Sequence, residues 1–326
     1  MKRLSTFMRW IGAILAALVL LPLFVPYQPI PNAVAPQSLA DDDSQFVTIN
    51  GVTLHYKRYG QGEPVFILIH GTLMNTHTWH KVIEPFAKLG IVIAYDRPPF
   101  GLASRPMPGT WEGESPYSYK SQTDLLVGLM DELDISQAIL VGNSMGGSIA
   151  MLTAQYHPDR VKALILVAPA QTGHGFPAAA RWLFATPQMR RLGPLFLRSQ
   201  LEKFALNLYD QSWPAPSQIQ AEDKDIYFTF FRIENWDRGL WEFLVAAKPL
   251  ETILDPYVIA APTLVITGDD DRIVGTANNI ELSKRIPNAQ LSTIAECGHV
   301  PQEECPVKFM EAIEQWLMES AGEALQ

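Results

Sequence analysis

Apolar positions along this chain follow two rhythms. Short continuous apolar runs stand at 65–69, 91–95, 138–141, 163–167, 263–267 and 291–294. Runs of that length without alternation suit strands buried on both faces, as in a parallel sheet. Two earlier runs, 46–50 and 52–59, alternate in part and meet near Asn50-Gly51, a strong hairpin signal. Between the runs the spacing turns helical. Leu125, Leu126, Leu129, Met130 and Leu133 share one face of 121–133, and further helical patterns cover 146–156, 276–285 and 306–318. Strands alternating with helices predict an α/β fold with a mostly parallel central sheet flanked by helices. Reactive groups in such a sheet collect at the carboxyl ends of the strands. There the chain carries His70-Gly71, Asp96-Arg97-Pro98, Gly142, Ala168-Pro169 and Gly268.

Two stretches break the alternation. Trp10 to Tyr27 is an uncharged apolar run preceded by Lys2, Arg3 and Arg9. About 18 such residues can just cross a bilayer core of about 30 Å. The basic flank would stay cytoplasmic and place the rest outside. Residues 1–27 are therefore expected to be an uncleaved signal-anchor or transmembrane segment, with a cleaved signal peptide and a secreted domain as the competing reading. Residues 28–45, rich in Pro, Ala and Asp, read as a linker. The second break is 170–257, which shows no buried strand and is dense in aromatics, among them Trp182, Phe196, Trp213, Phe230 and Trp241. A structureless loop of that length is implausible, so a helical cap over the site is expected, inserted in a core made of 46–169 and 258–322.

Composition narrows the partners. Hydrophobic residues make up 48% and charged residues 18%, with a formal net charge of -9, which fits a well-filled core and argues against nucleic acid. Two cysteines, Cys297 and Cys305, are too few for a disulfide framework. They are expected to be free thiols, although they could pair in an oxidising compartment. No zinc-type spacing is evident.

The chemistry centres on Gly142-Asn143-Ser144-Met145-Gly146-Gly147, between an apolar run and a helical pattern. A serine on a sharp strand-to-helix turn projects its hydroxyl above the sheet, and flanking glycines remove clashes in that turn. An alcohol needs a base. His299, just after the last strand, is the candidate. His55, His77, His80, His157 and His174 lie in less suitable places, and His70 is the serious rival. The base needs an orienting acid. Of Asp269, Asp270 and Asp271, Asp271 lies far enough past the strand end to be aimed back at His299. The order Ser, Asp, His matches the order for this type of turn. The oxyanion donors are expected to be the backbone N–H groups of Met145 and Thr72, with His70 and Gly71 supporting the Thr72 loop.

These motifs, with Asp96-Arg97-Pro98-Pro99-Phe100-Gly101 and Gly268-x-x-Asp271, resemble those of the α/β-hydrolase superfamily from about Phe46 onward. The insertion is similar to that family's cap. Ser144 argues against epoxide hydrolases and haloalkane dehalogenases of this fold, which use Asp. The meta-cleavage C–C hydrolases share the triad but usually carry a more glycine-rich loop after His-Gly. Haloperoxidase-like and methyl-ester carboxylesterase members share the motifs too. Pro98-Pro99 departs from the more frequent Pro-Gly. The expected function is a serine esterase acting on apolar or amphipathic carboxylic esters through an acyl-enzyme, with no metal or cofactor. The alternatives are a C–C hydrolase using the same triad and a catalytically silent membrane-anchored binding protein.

Overall fold

The structure, a computed structural model, describes residues 2–173 and 175–320. His174 and the last two residues of the expected core, 321–322, lie outside the described residues. Eight described strands form one sheet: β1 (Gln45–Ile49), β2 (Val52–Tyr59), β3 (Val65–Ile69), β4 (Ile91–Asp96), β5 (Ala138–Asn143), β6 (Val161–Val167), β7 (Thr263–Gly268) and β8 (Ala289–Ile294). Their order is β1-β2-β4-β3-β5-β6-β7-β8. The β1–β2 and β2–β4 pairs are antiparallel and the rest parallel. The β1–β2 hairpin turns on Asn50 at φ 50° and Gly51 at φ 79°, the left-handed pair that a tight hairpin needs.

Among the described residues, eleven α-helices follow in chain order: α1 (Lys2–Leu20), α2 (Ile83–Leu89), α3 (Tyr119–Glu132), α4 (Met145–Tyr156), α5 (Arg181–Phe184), α6 (Pro187–Gln211), α7 (Ala221–Phe228), α8 (Trp236–Ala246), α9 (Thr276–Arg285), α10 (Pro301–Glu304) and α11 (Pro306–Ser320). The unbroken apolar runs have a simple cause. Alternate residues of one strand enter two different cores. Ile67, Leu140, Leu164 and Val265 pack on one face with Leu126 of α3 and Ile149 of α4. Phe66, Ile139, Ile165 and Ile266 pack on the other with Phe86 of α2 and Phe309 of α11. Parallel register aligns Ile69 with Gly142, and Asn143 with Val167. The loops after β3, β5 and β7 therefore open at one sheet edge.

The helices of the 170–257 insertion, α5 to α8, lie over that edge. Arg190 of α6 grips Glu242 of α8 with two bonds of 2.8 and 2.9 Å, and Arg198 of α6 bonds Asp237 of α8 at 2.8 Å.

The amino-terminal segment differs from the expected membrane-spanning run. No described helix is long and apolar enough to cross a membrane. Helix α1 carries Lys2, Arg3 and Arg9 and stops at Leu20, because Pro22 in the following 3-10 turn (Leu21–Phe24) cannot continue it. Its uncharged part, Trp10 to Leu20, spans only about 16 Å at 1.5 Å per residue, against about 30 Å of hydrocarbon. The chain after it is laid along the cap. Arg191 Nη1 donates to the Val25 carbonyl at 3.0 Å, Arg198 Nη2 donates to the Tyr27 hydroxyl at 3.0 Å, and Val34 bridges to Ile233.

Candidate active site

Ser144 joins β5 to α4 at φ 52° and ψ -119°, a positive φ that residues with a side chain avoid. Close packing holds it there. A side chain at Gly142 would meet the Gly146 carbonyl at 2.4 Å, and one at Gly146 would meet the Ile69 carbonyl at 2.0 Å. The turn is thus wedged against β3. From the other side, Ser144 N–H donates to the Val167 carbonyl at 2.9 Å.

Asp271 follows β7, and both of its oxygens lie 3.1 Å from His299 Nδ1. That bond makes Nδ1 the donor and leaves Nε2 free to act as a base. Asp271 also accepts from the N–H groups of Ile273 at 2.9 Å and Val274 at 3.1 Å. Burial alone would raise its pKa. The bond to His299, the His299 charge and the two amides outweigh burial and hold the carboxyl below its ordinary value. The neighbouring aspartates are used elsewhere: Asp270 pairs with Arg272 at the surface, and Asp269 accepts from Cys297 N–H at 3.3 Å.

His299 sits on a loop that is fixed at several points. Its N–H donates to the Ser212 carbonyl of the cap at 2.8 Å. The Glu304 carboxylate accepts from Gly298 N–H at 2.7 Å and Val300 N–H at 2.8 Å, one on either side of the histidine. Burial lifts Glu304 to a pKa of about 7 despite those amides, with the charges of Glu303 and Asp271 adding to the effect. Cys297 and Cys305 form a disulfide across the same loop, which corrects the expectation of free thiols. Their eight-residue separation lets the loop fold back on α10 and bring the sulfurs together. Asn143, one residue before Ser144, donates from Nδ2 to the carbonyls of Val167 at 3.2 Å and His299 at 3.1 Å. Sequence reasoning missed Asn143 and Glu304. Adjacency to Ser144 was the one available signal for Asn143, and nothing local marked Glu304.

The loop after β3 completes the floor. His70 is fully buried; its Nδ1–H donates to the Gly71 carbonyl at 2.7 Å, and its Nε2 accepts Arg97 N–H at 3.1 Å. Burial and the nearby Arg97 charge push its pKa down to about 3, so the ring is neutral. A side chain at Gly71 would lie 3.3 Å from Ser144 Cβ, so this backbone closely approaches the serine. Thr72 Oγ1 donates to Met145 Sδ at 3.5 Å, which sets the Thr72 and Met145 residues side by side.

Above Ser144 lies a cavity of about 370 Å³. Thr72, Ser144, Ile273 and His299 line its core side, and Leu208, Tyr227, Phe230 and Phe243 are among the cap residues on the other. His70 and Asp271 stand behind this lining. Among the described residues, the wall contains no lysine or arginine. The two tyrosines turn their polar ends away, Tyr209 bonding Glu303 at 3.0 Å and Tyr227 bonding it at 2.7 Å. Their rings therefore meet the cavity as apolar surface.

Comparison with known proteins agrees with this geometry. The family model described as alpha/beta hydrolase fold matches residues 64–306. The chain is 30% identical over 306 residues to 2-hydroxymuconate semialdehyde hydrolase of Pseudomonas sp. (strain CF600), covering 89% of this chain and 99% of that one. Among solved structures, Est816, described as an N-acyl homoserine lactone degrading enzyme, aligns with a TM-score of 0.65 and 25% identity over 83% of this chain and 99% of its own. A membrane phospholipase A described as a bacterial virulence factor shares the fold, with a TM-score of 0.66 and 24% identity over 98% of this chain and 99% of its own. The serine elbow, the sheet that carries it and the matched family model agree: the chain belongs to the alpha/beta hydrolase fold family and is a hydrolase.

Proposed function

We propose that the protein hydrolyses carboxylic esters with an apolar acyl or alcohol group, through an acyl-enzyme on Ser144. His299 takes the Ser144 proton and later delivers it to the leaving alcohol, while Asp271 orients the ring and stabilises the imidazolium. The N–H groups of Thr72 and Met145 receive the oxyanion, and water then releases the acid. His70 and Gly71 act as supports, holding the Thr72 amide near Ser144.

The observation that carries the choice of substrate is the cation-free apolar cavity over Ser144. A muconate-type substrate, as named for the curated relative, carries a carboxylate. Burying that charge with no cationic partner is costly, whereas an apolar ester arm gains from the same wall. The relative itself favours a second reading, C–C hydrolysis by the same residues. Turnover of p-nitrophenyl esters from acetate to palmitate, set beside turnover of a dienol-ketone acid, decides between them. The ester reading expects butyrate or longer esters to be preferred by at least about tenfold in kcat/KM, or about 1.4 kcal/mol; faster turnover of the dienoate would overturn it. Labelling by a fluorophosphonate probe, absent in Ser144→Ala, separates both from a silent binding protein.

We also propose that the domain works at a membrane on its non-cytoplasmic side. Support comes from the basic residues ahead of the apolar segment, from exposed Phe7, Trp10 and Phe24, and from a disulfide suited to an oxidising compartment. Co-sedimentation with membranes at neutral pH and protease accessibility of intact cells test this. Full release into the soluble fraction, or protection on the cytoplasmic side, would contradict it.

A further inference from the structure

We infer that His77, His80 and Asp223 form a binding site for a divalent metal ion, zinc by ligand type, that ties the cap to the core. His77 and His80 belong to the 3-10 turn after β3 (Thr76–Trp79) and the residue that caps it. Asp223 lies in the first turn of α7 in the cap, 146 positions beyond His77. His77 Nε2 is 2.8 Å and His80 Nε2 3.5 Å from Asp223 Oδ1. One ligand atom from each residue falls within 4.8 Å of the others. Zinc bonds of about 2.0–2.2 Å place neighbouring ligand atoms about 3.3 Å apart; the two distances to Asp223 lie near that value, and one imidazole turns out of the parallel stack to aim its lone pair at the shared ion.

Three features suit the cluster to a cation. His80 Nδ1 lies 2.8 Å from the His77 carbonyl. A carbonyl only accepts, so Nδ1 carries the hydrogen and, in the neutral ring, Nε2 presents a lone pair. That lone pair faces a carboxylate oxygen at 3.5 Å, a contact that a proton or a metal ion between the two would relieve. The imidazoles are stacked at 4.1 Å and 3°, so both present their edges to the same carboxylate. Most tellingly, Asp223 is 5% exposed and its Oδ2 is buried with no hydrogen-bond partner, which is costly for an ionised group. The nearby lysines are engaged elsewhere, Lys81 on the Glu303 carbonyl at 2.9 Å and Lys224 on Asp210 at 2.6 Å. A second cavity, of about 360 Å³ and lined by His77 and His80, provides room for an ion to enter.

The consequence reaches the substrate cavity. Tyr227 lies one helical turn after Asp223 on α7, packs edge-on against His77 at 5.6 Å and lines the cavity. A metal ion bridging Asp223 to the core turn fixes that part of the cap wall. It takes no part in the Ser144 chemistry, and the inference stands whether or not the ester reading holds.

The test is zinc titration of the tag-free, metal-stripped full-length protein by calorimetry, with thermal unfolding alongside. One zinc per chain is expected, with a Tm that rises with zinc concentration. His80→Gln and Asp223→Asn are each expected to weaken zinc at least about 100-fold, since loss of a direct ligand exceeds the 10–100-fold cost of losing its supporting groups. Fluorophosphonate labelling of the metal-free variants reports their folding. A variant that labels normally but binds no zinc supports the site, and cobalt replacing zinc should give a visible absorption band lost in the same variants. No zinc uptake by the wild type, or undiminished uptake by the His77→Gln/His80→Gln double variant, overturns it in favour of a plain histidine–aspartate pair.

Discussion

On the core side of the cavity each reactive group is positioned by backbone. Ser144 is wedged between strands, His299 lies between two N–H groups held by Glu304, and Asp271 is gripped by the amides of Ile273 and Val274. The cap side is built from rings and aliphatic side chains on helices, with few polar constraints facing the cavity. The contrast assigns different duties. Backbone-held groups fix distances, which catalysis needs to within fractions of an ångström. An apolar wall gives affinity that is non-directional and tolerant of shape.

The largest effect expected is on the core side. Ser144→Ala should lower kcat by about 10⁶-fold with KM little changed; a residual rate within tenfold of wild type would remove Ser144 from the reaction. Asp271→Asn should lower kcat by about 10⁴-fold by favouring the wrong tautomer of His299, with unfolding midpoints showing that the fold survives. Reducing the Cys297–Cys305 disulfide should cost about 2–3 kcal/mol of stability, from the loop-entropy estimate for an eight-residue loop. Denaturant midpoints with and without reductant measure it, and no change would mean that the bonds of Glu304, Ser212 and Asn143 hold the His299 loop without the disulfide.

Glu304 gives a sharper test of backbone control. Its pKa is raised in the folded state from an ordinary 4.5 to about 7, so the native state holds a proton that the unfolded chain gives up. The stability this contributes is fully present below about pH 4.5 and is lost as pH rises toward 7. Glu304→Gln should therefore gain in Tm relative to wild type across that window; a constant Tm difference would contradict the shift. The smallest effect belongs to the cap. Leu208→Arg places a cation in the apolar wall. It should raise KM for long-chain esters about 10-fold, consistent with a lost apolar contact of about 1.4 kcal/mol, and leave kcat within about twofold. A large fall in kcat would break the division between the two walls.

What the sequence revealed follows the same division. Five-residue apolar runs announce strands because each must fill two cores at once, as Phe66 and Ile67 do on opposite faces of β3. The serine turn is legible because its glycines are local steric necessities. Asp271 stood out from Asp269 and Asp270 only by its distance past the strand end. Glu304 was not legible, since its role depends on a loop folding back onto Gly298 and Val300. The His77–His80–Asp223 cluster was equally hidden, because the cap must dock before residues 146 positions apart can meet. The amino-terminal segment misled for a related reason. Its apolar count suggested a continuous span, while Pro22 and the contacts to Arg191 and Arg198 break it and lay it on the cap.

Asn143 brings a consequence of another kind. In most machines the gap between two working parts accumulates the errors of every component that separates them. Here 155 residues of chain run from Ser144 to His299, across a sheet and a whole cap. One short amide nonetheless spans from the residue beside the serine to the carbonyl of the histidine itself. Asn143 therefore ties the residue beside the proposed nucleophile directly to the loop of the proposed base, alongside the bond from His299 N–H to Ser212 of the cap.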